Sequence, residues 1–207
     1  MDGPTYYNYY KNIILYIAHR GLTATYESPL TEKEFTRVFE GKWFVNIPTE
    51  ESLIIMTHPL HKYGTFNAET KKLVKTYLGK SVYSECLLIC EIVYHRDDKL
   101  HMSKQLVHKM QKEINTLFPS VWMQVRPYSV FIANIPIREG ASVHSLPDQE
   151  KAMQELKIER REVNELSSIN IWDPPIVWLG GRRGQIIEVN RITPSVGLIR
   201  ILHVIVD

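Results

Sequence analysis

The sequence predicts an α/β chain, more narrowly α+β, in two parts. Residues 1–140 form a three-layer-like N-terminal domain of helices on a mixed sheet, and residues 141–207 form a small C-terminal α+β domain. Three observations predict this. Amphipathic helical stretches alternate with short apolar runs of strand length as far as Ile137. Arg138-Glu139-Gly140-Ala141-Ser142 is small and polar, the best linker in the chain. From Leu166 onward, stops, turns and strand patterns succeed one another without a group that could do chemistry.

The elements follow in order. Thr5 to His19 reads as a helix with Tyr6, Tyr9, Tyr10, Ile13, Ile14 and Ile17 on one stripe, Pro4 at its start and Arg20-Gly21 at its end. Thr31-Glu32-Lys33-Glu34 is a capping box that opens a short helix through Phe35, Val38 and Phe39. Trp43–Val45 and Leu53–Met56 read as strands. Glu85 to Tyr94 is a nearly continuous apolar run, the pattern of a central strand covered on both faces, and the polar stretch His95–Lys99 ends it. Ser103 caps a helix with Leu106, Val107, Met110, Ile114 and Leu117 on its apolar face. Val121–Val125 is a strand, and after Pro127 a further apolar strand runs from Tyr128 to Ile135.

In the second part, Pro147-Asp148 starts a charged helical stretch with sparse apolar positions at Met153, Leu156, Ile158 and Val163. A break near Lys157–Glu159 gives two short helices. Asp173-Pro174-Pro175 blocks further helix. Ile186–Arg191 and Leu198–Val206 are strands joined by the loop Thr193–Gly197. The final strand carries Leu198, Ile199, Ile201, Leu202, Val204 and Ile205, more apolar positions than one face of a small module buries, so a partner surface is expected to cover the excess.

Composition sets bounds on function. A net charge of +2 is too small for bulk attraction to nucleic acid or membrane. Cys86 and Cys90 lie four apart in an apolar run, which suits buried thiols on one face and a reducing compartment. No apolar run approaches the roughly 20 residues of a membrane span, and the N-terminus lacks a secretory pattern. The chain is expected to be intracellular, without a membrane partner.

Three chemical readings compete on the residues. Gly180, Gly181 and Gly184 around Arg182-Arg183 could cradle an anion, but a phosphate loop opens a helix and here a strand pattern follows. His58 and His61 lack the further ligands of a zinc site, and Cys86 and Cys90 complement them poorly. Glu85, Glu91, Asp97 and Asp98 suggest a nuclease, but no lysine follows at the spacing a magnesium site needs. The sequence therefore names no catalytic residue, cofactor or metal.

From Leu166 the chain resembles the C-terminal assembly domain of the two-domain jaw subunit of multisubunit DNA-directed RNA polymerases. Eukaryotic nuclear polymerases share that subunit, and its archaeal counterpart is the C-terminal domain alone. The family reads Leu-Pro-x-Ile, three residues, Asp-Pro, five residues to a Gly, then Leu-Lys-Arg-Gly-Gln or similar, a short strand ending in Arg, and a loop Gly. Leu166, Ile169, Asp173, Pro174, Gly180, Arg183, Gly184, Gln185, Arg191 and Gly197 fall in that register without a gap. A looser resemblance covers the N-terminal part through Arg20-Gly21, Pro29-Leu30 and Phe35. Ser167, Pro175 and Leu202-His203 depart from the family, the His-rich entry to the assembly domain is reduced to His144, and Leu100–Ser103 lacks a Thr-Pro-Ser turn. Such drift within an intact register is similar to a viral member of the asfarvirus type.

The resemblance implies a non-catalytic polymerase subunit whose C-terminal domain docks on the largest subunit, with Ile201 on the docking strand. Its N-terminal domain would form part of the lower jaw beside downstream duplex DNA, with weak contacts directed at phosphates. A viral member would work in the host cytoplasm and the virion, a cellular one in the nucleus. A stand-alone adaptor and a metal-dependent nuclease-like protein on the jaw-type domain are the alternatives.

Overall fold

Helices and mixed sheets both appear in the computed structural model, as an α+β chain requires. It describes residues 3–25, 28–58, 68–79, 83–90, 94–96, 99–101, 112–113, 115–131 and 142–206. The chain divides into two compact units, 1–132 and 133–207.

In the first unit, α1 (Gly3–His19) buries Tyr6, Tyr9, Tyr10, Ile13, Tyr16 and Ile17. It closes at Gly21, whose φ of 66° suits the left-handed exit after a helix. The capping box at Thr31 forms as the spacing predicts and opens α2 (Glu32–Gly41), which buries Phe35. β1 (Phe44–Pro48) pairs antiparallel with β2 (Ser52–Thr57). β2 then pairs parallel with β3 (Glu85–Ile89), and β3 with a later strand at Trp122–Arg126. Every residue of β2 and β3 is buried, so this mixed sheet is covered on both faces. The apolar runs of those strands require that cover. Between them lies α3 (Ala68–Leu78), which buries Thr70 and Val74.

Two strand expectations are corrected. The run from Glu85 does not continue to Tyr94: β3 ends at Ile89, and the Cys90 N–H donates to the Arg126 carbonyl at 3.1 Å. Tyr94–Arg96 (β4) and Lys99–His101 (β5) instead pair as a separate antiparallel ribbon, so strand resumes within the polar stretch. Residues 97–98 lie outside the described residues. With Trp122–Arg126 as β6, the residues that follow are not a strand. Tyr128–Phe131 is a 3₁₀ turn. Its first carbonyl is that of Pro127, which accepts from Val130 N–H at 3.3 Å, and the Asn12 side-chain amide donates to the Phe131 carbonyl at 2.8 Å. Tyr128, Val130 and Phe131 are still buried, so apolar content was legible and period was not. Residues 132–135 lie outside the described residues. So does most of the helix expected after Ser103, of which 112–113 and 115–117 are helical.

The second unit is a four-stranded sheet in the order β7-β9-β10-β8. β7 is Ser142–Ser145, β8 Ser167–Asn170, β9 Ile186–Thr193 and β10 Gly197–Val206. β9 pairs antiparallel with both neighbours, while β8 lies parallel to the end of β10. Strand alternation sends Ile186 and Leu202 to one face, where they pack with Leu166 and with Ala152 and Leu156 of α4 (Gln149–Ile158). Ile187 and Ile205 go to the other face and pack with Ile176 of α5 (Pro174–Leu179). Fully burying one such side chain contributes about 1.5–3 kcal/mol.

Asp148 caps α4, accepting from the Glu150 and Lys151 amides at 3.0 and 3.1 Å. The helix ends at Ile158 and a 3₁₀ turn follows at Val163–Glu165, in line with the expected break. Met153 and Ile158, however, are 41% and 83% exposed, and the core positions are Ala152 and Leu156. A second correction concerns Asp173-Pro174-Pro175, which opens α5 instead of forbidding a helix. Proline lacks an N–H that the first helical turn would leave unsatisfied anyway, and its fixed φ suits that position. Ser142, read as linker, begins β7, and β8 was not expected; both are short, polar edge strands without a visible apolar period.

Candidate docking site

Most of the family-register residues build the connection between β8 and β9, which meets the end of β10 at Ile205, while Arg191 and Gly197 lie toward the other end of those strands. Leu166 is buried in the core beneath α4, and Ile169 packs against the core beneath α5. Asp173 sits at the N-cap of α5 without a side-chain cap bond, and its carbonyl accepts from Ile176 and Val177 N–H at 2.9 and 3.1 Å. Pro174 is the first helical residue. Gly180 closes the helix at φ 68°, where its N–H still reaches the Val177 carbonyl at 3.0 Å. Any residue with a Cβ would be strained there.

Gly181 serves a different need. A Cβ on it would lie 2.7 Å from Ile205 Cδ1 and 2.8 Å from Ile176 Cγ2. The chain turns here against the strand and has room only for hydrogen. Gly184 (φ 83°) then donates to the Ile205 carbonyl at 2.9 Å, and the Gln185 carbonyl accepts from Ile205 N–H at 2.9 Å. The Gln185 side-chain oxygen takes the Arg182 N–H at 2.7 Å. Together these bonds tie the turn to β10. Arg183 is exposed. Arg191, also exposed, donates from Nε to Ser142 Oγ at 3.2 Å, joining β9 to the edge strand β7. Gly197 (φ 81°) starts β10 after the hairpin loop. This loop feeds a strand, and α5 is only six residues long, so no phosphate cradle is built here.

Only the second half of the final strand, from His203, is paired on both sides. β10 lies between β9 and β8, and Leu202 and Ile205 are buried. The apolar excess is instead concentrated at the hairpin end. Leu198 is directly opposite Ile192, and the two are 69% and 66% exposed, with Val196 at 72% in the loop between them. Leu198 was among the excess apolar positions of the sequence, but Ile192 and Val196 were missed, because sequence alone does not tell which half of a strand its neighbours leave bare. Ile201 is half-buried and lines a slot of about 420 Å³ with Glu155, Glu159, Arg161, Glu165, Ser167, Arg200 and Leu202.

Charge in the slot is tied down. Arg200 donates from Nε to Glu188 at 2.6 Å and from its terminal nitrogens to the Glu155 carboxylate. Those hydrogen bonds raise its affinity for the proton and hold Glu188 below the usual carboxylate range. Arg161 pairs with Glu159 at 3.2 Å. Beside the slot, Ser167 Oγ and His203 Nδ1 are 2.9 Å apart across the β8–β10 seam. Partial burial holds His203 below its ordinary pKa, and His144 and Arg191 push the same way.

The candidate chemistry of the first unit is likewise occupied. Both oxygens of Glu85 are held by Arg20, at 2.6 and 2.9 Å, and Gln124 donates to the same carboxylate at 2.9 Å. Arg126 donates to Gln124 at 2.9 Å. Burial pulls Arg126 down to about 10, which leaves it charged at neutral pH. Burial also lifts the Tyr16 phenol to about 12, although Arg20 donates to its hydroxyl at 2.8 Å. Glu85 is thus a structural counter-ion to two arginines. Glu91, Asp97 and Asp98 lie outside the described residues. His58 sits tilted against Tyr6 and edge-on to Phe39, at ring distances of 5.4 and 5.0 Å, and His61 lies outside the described residues. Cys86 and Cys90 are buried thiols, and burial pushes Cys86 well above the ordinary range. Among the described residues, no helix is long and apolar enough to cross a membrane.

No protein-family model matches the chain. Curated proteins named "DNA-directed RNA polymerase RPB5 homolog" of African swine fever virus do resemble it. Those of isolate Warthog/Namibia/Wart80/1980 and strain Badajoz 1971 Vero-adapted are each 33% identical over 131 residues, 63% of this chain and 60% of the viral protein. That of isolate Pig/Kenya/KEN-50/1950 is 31% identical over the same extent. The aligned stretch spans 60% of the length of these relatives. Over those 131 residues the chain is similar to the RPB5 homologues of African swine fever virus.

Proposed function

We propose that the chain is a non-catalytic subunit of a multisubunit DNA-directed RNA polymerase, carried by a virus related to the asfarviruses. The second unit holds to the largest polymerase subunit as an assembly domain, and the first forms part of the lower jaw beside downstream duplex DNA. The relation to viral proteins named as polymerase subunits carries this reading. The site geometry supports it, because the register residues build helix caps and turns that fix the ends of β10 and hold no reactive group in common. Work in the host cytoplasm and packaging in the virion follow from the same reading. A nuclease reading of the first unit loses Glu85, whose carboxylate is clamped by Arg20 and Gln124.

The test is Ile201→Asp in the tagged full-length chain. A carboxylate in the acidic slot is expected to abolish co-purification with the largest subunit while the sheet of the first unit keeps its amide protection. Retained co-purification counts against the docking strand. DNA contact by the jaw would be phosphate-directed, so duplex binding by the chain alone is expected to be weak and to fall further with salt.

A further inference from the structure

The ladder between β8 and β10 starts only at His203. From Gly197 to Leu202, β10 has β9 on one side and, among the described residues of its unit, no strand on the other. Two bonds fix which groups point outward. Ile205 N–H donates toward β9, to the Gln185 carbonyl at 2.9 Å, while the Val206 carbonyl accepts from the opposite side, from Ile171 N–H at 2.7 Å. Strand alternation carries that pattern back along β10. The N–H groups of Leu198, Arg200 and Leu202 therefore face the side without a strand, ahead of β8.

Such an edge is ordinarily guarded by a lysine, a proline or a bulge. Here the only charged side chain on the segment, Arg200, is drawn onto Glu155 and Glu188 and does not guard it. The acidic slot opens beside the same residues, with three carboxylates against two guanidiniums already paired within the unit. Next to it lies the exposed Leu198–Ile192 pair. A second copy of this chain suits the edge poorly. Twofold antiparallel pairing about Arg200 would set Arg200 against Arg200 and bring two acidic slots together.

We propose that the β10 edge at Leu198–Leu202 takes up an extended, basic segment of another protein chain as an added strand, with a cationic side chain entering the Glu155–Glu159–Glu165 slot. This rests on the reading of the second unit as a docking domain and names the mode of docking. Backbone pairing would supply the register, the Leu198–Ile192 pair an apolar contact, and the slot a preference for lysine or arginine.

Hydrogen exchange tests it, comparing the tagged full-length chain captured from its native cells with the same chain alone. Alone, the Leu198 and Arg200 amides should exchange fast while Ile199 and Ile201, bonded to β9, exchange slowly. In the captured complex Leu198 and Arg200 should slow by about 100-fold or more. Leu198→Pro removes an N–H that β9 does not use, so it should weaken capture about tenfold while Leu198→Ala weakens it less. Fast exchange at Leu198 and Arg200 in a complex that contains polymerase subunits overturns the added strand and leaves the polymerase reading standing. Protection in a complex without polymerase subunits supports the added strand and sinks the polymerase reading. Recovery of the chain by itself, or protection that appears only on dimerisation, overturns the proposal.

Discussion

Replacing Gly181 by alanine isolates a packing requirement where the turn after α5 meets the end of β10. The added methyl would sit 2.7 Å from Ile205 Cδ1 and 2.8 Å from Ile176 Cγ2, where carbon atoms normally rest about 3.5–4.0 Å apart. Both isoleucines are fully buried, one on β10 and one on α5, so neither has solvent to move into. Overpacking of this kind costs about 1–3 kcal/mol. Gly181 is not in the left-handed region, so reduced freedom of the unfolded chain returns about 0.4–1 kcal/mol. The net expectation is a loss of about 1–2 kcal/mol, read from the slowest-exchanging amides of β9 and β10 in the full-length chain. Ile205→Val deletes the nearer clashing atom and alone should cost about 0.5–1.5 kcal/mol. In the double variant the two losses should fall short of their sum by roughly 1 kcal/mol. A neutral or stabilising Gly181→Ala, or strict additivity with Ile205→Val, would refute the reasoning.

Two further outcomes are expected. Glu85→Gln removes the buried carboxylate that holds both terminal nitrogens of Arg20 and should destabilise the first unit by about 3–5 kcal/mol in denaturant unfolding; a loss under about 1 kcal/mol would show the ion pair to be dispensable. The folded His203 ring sits below its ordinary value of 6.5, so its neutral form stabilises the fold above that pH. That contribution is lost as pH falls from 6.5 through the folded pKa. Amides of the β8–β10 seam should therefore exchange faster at acid pH than near neutrality once intrinsic rates are corrected, and His203→Asn should remove the difference.

Elements with a local chemical cause were legible in the sequence. The Thr31 capping box, the α1 stripe, the two fully buried strands and the β9–β10 hairpin each rest on spacing that one segment carries by itself. What was misread depended on partners distant in sequence. Tyr128–Phe131 has the apolar content of a strand, but the Asn12 side chain fixes it as a turn from 119 residues away. β7 and β8 are polar edge strands defined only by their neighbours. The glycine positions of the register were readable, because each answers a backbone demand, whereas Asp173-Pro174-Pro175 was read as a stop and opens α5. The exposed Ile192–Leu198 pair and the open edge ahead of His203 were not readable, since both follow from how far β8 extends along β10.

Capture of the tagged full-length chain from the cells in which it is naturally expressed, with every bound chain identified and quantified, tests the central claim most directly. The largest subunit of a DNA-directed RNA polymerase is expected at one copy per copy of this chain, and it should be lost when Ile201 is replaced by aspartate. Recovery without polymerase subunits, or with them far below that ratio, would contradict it.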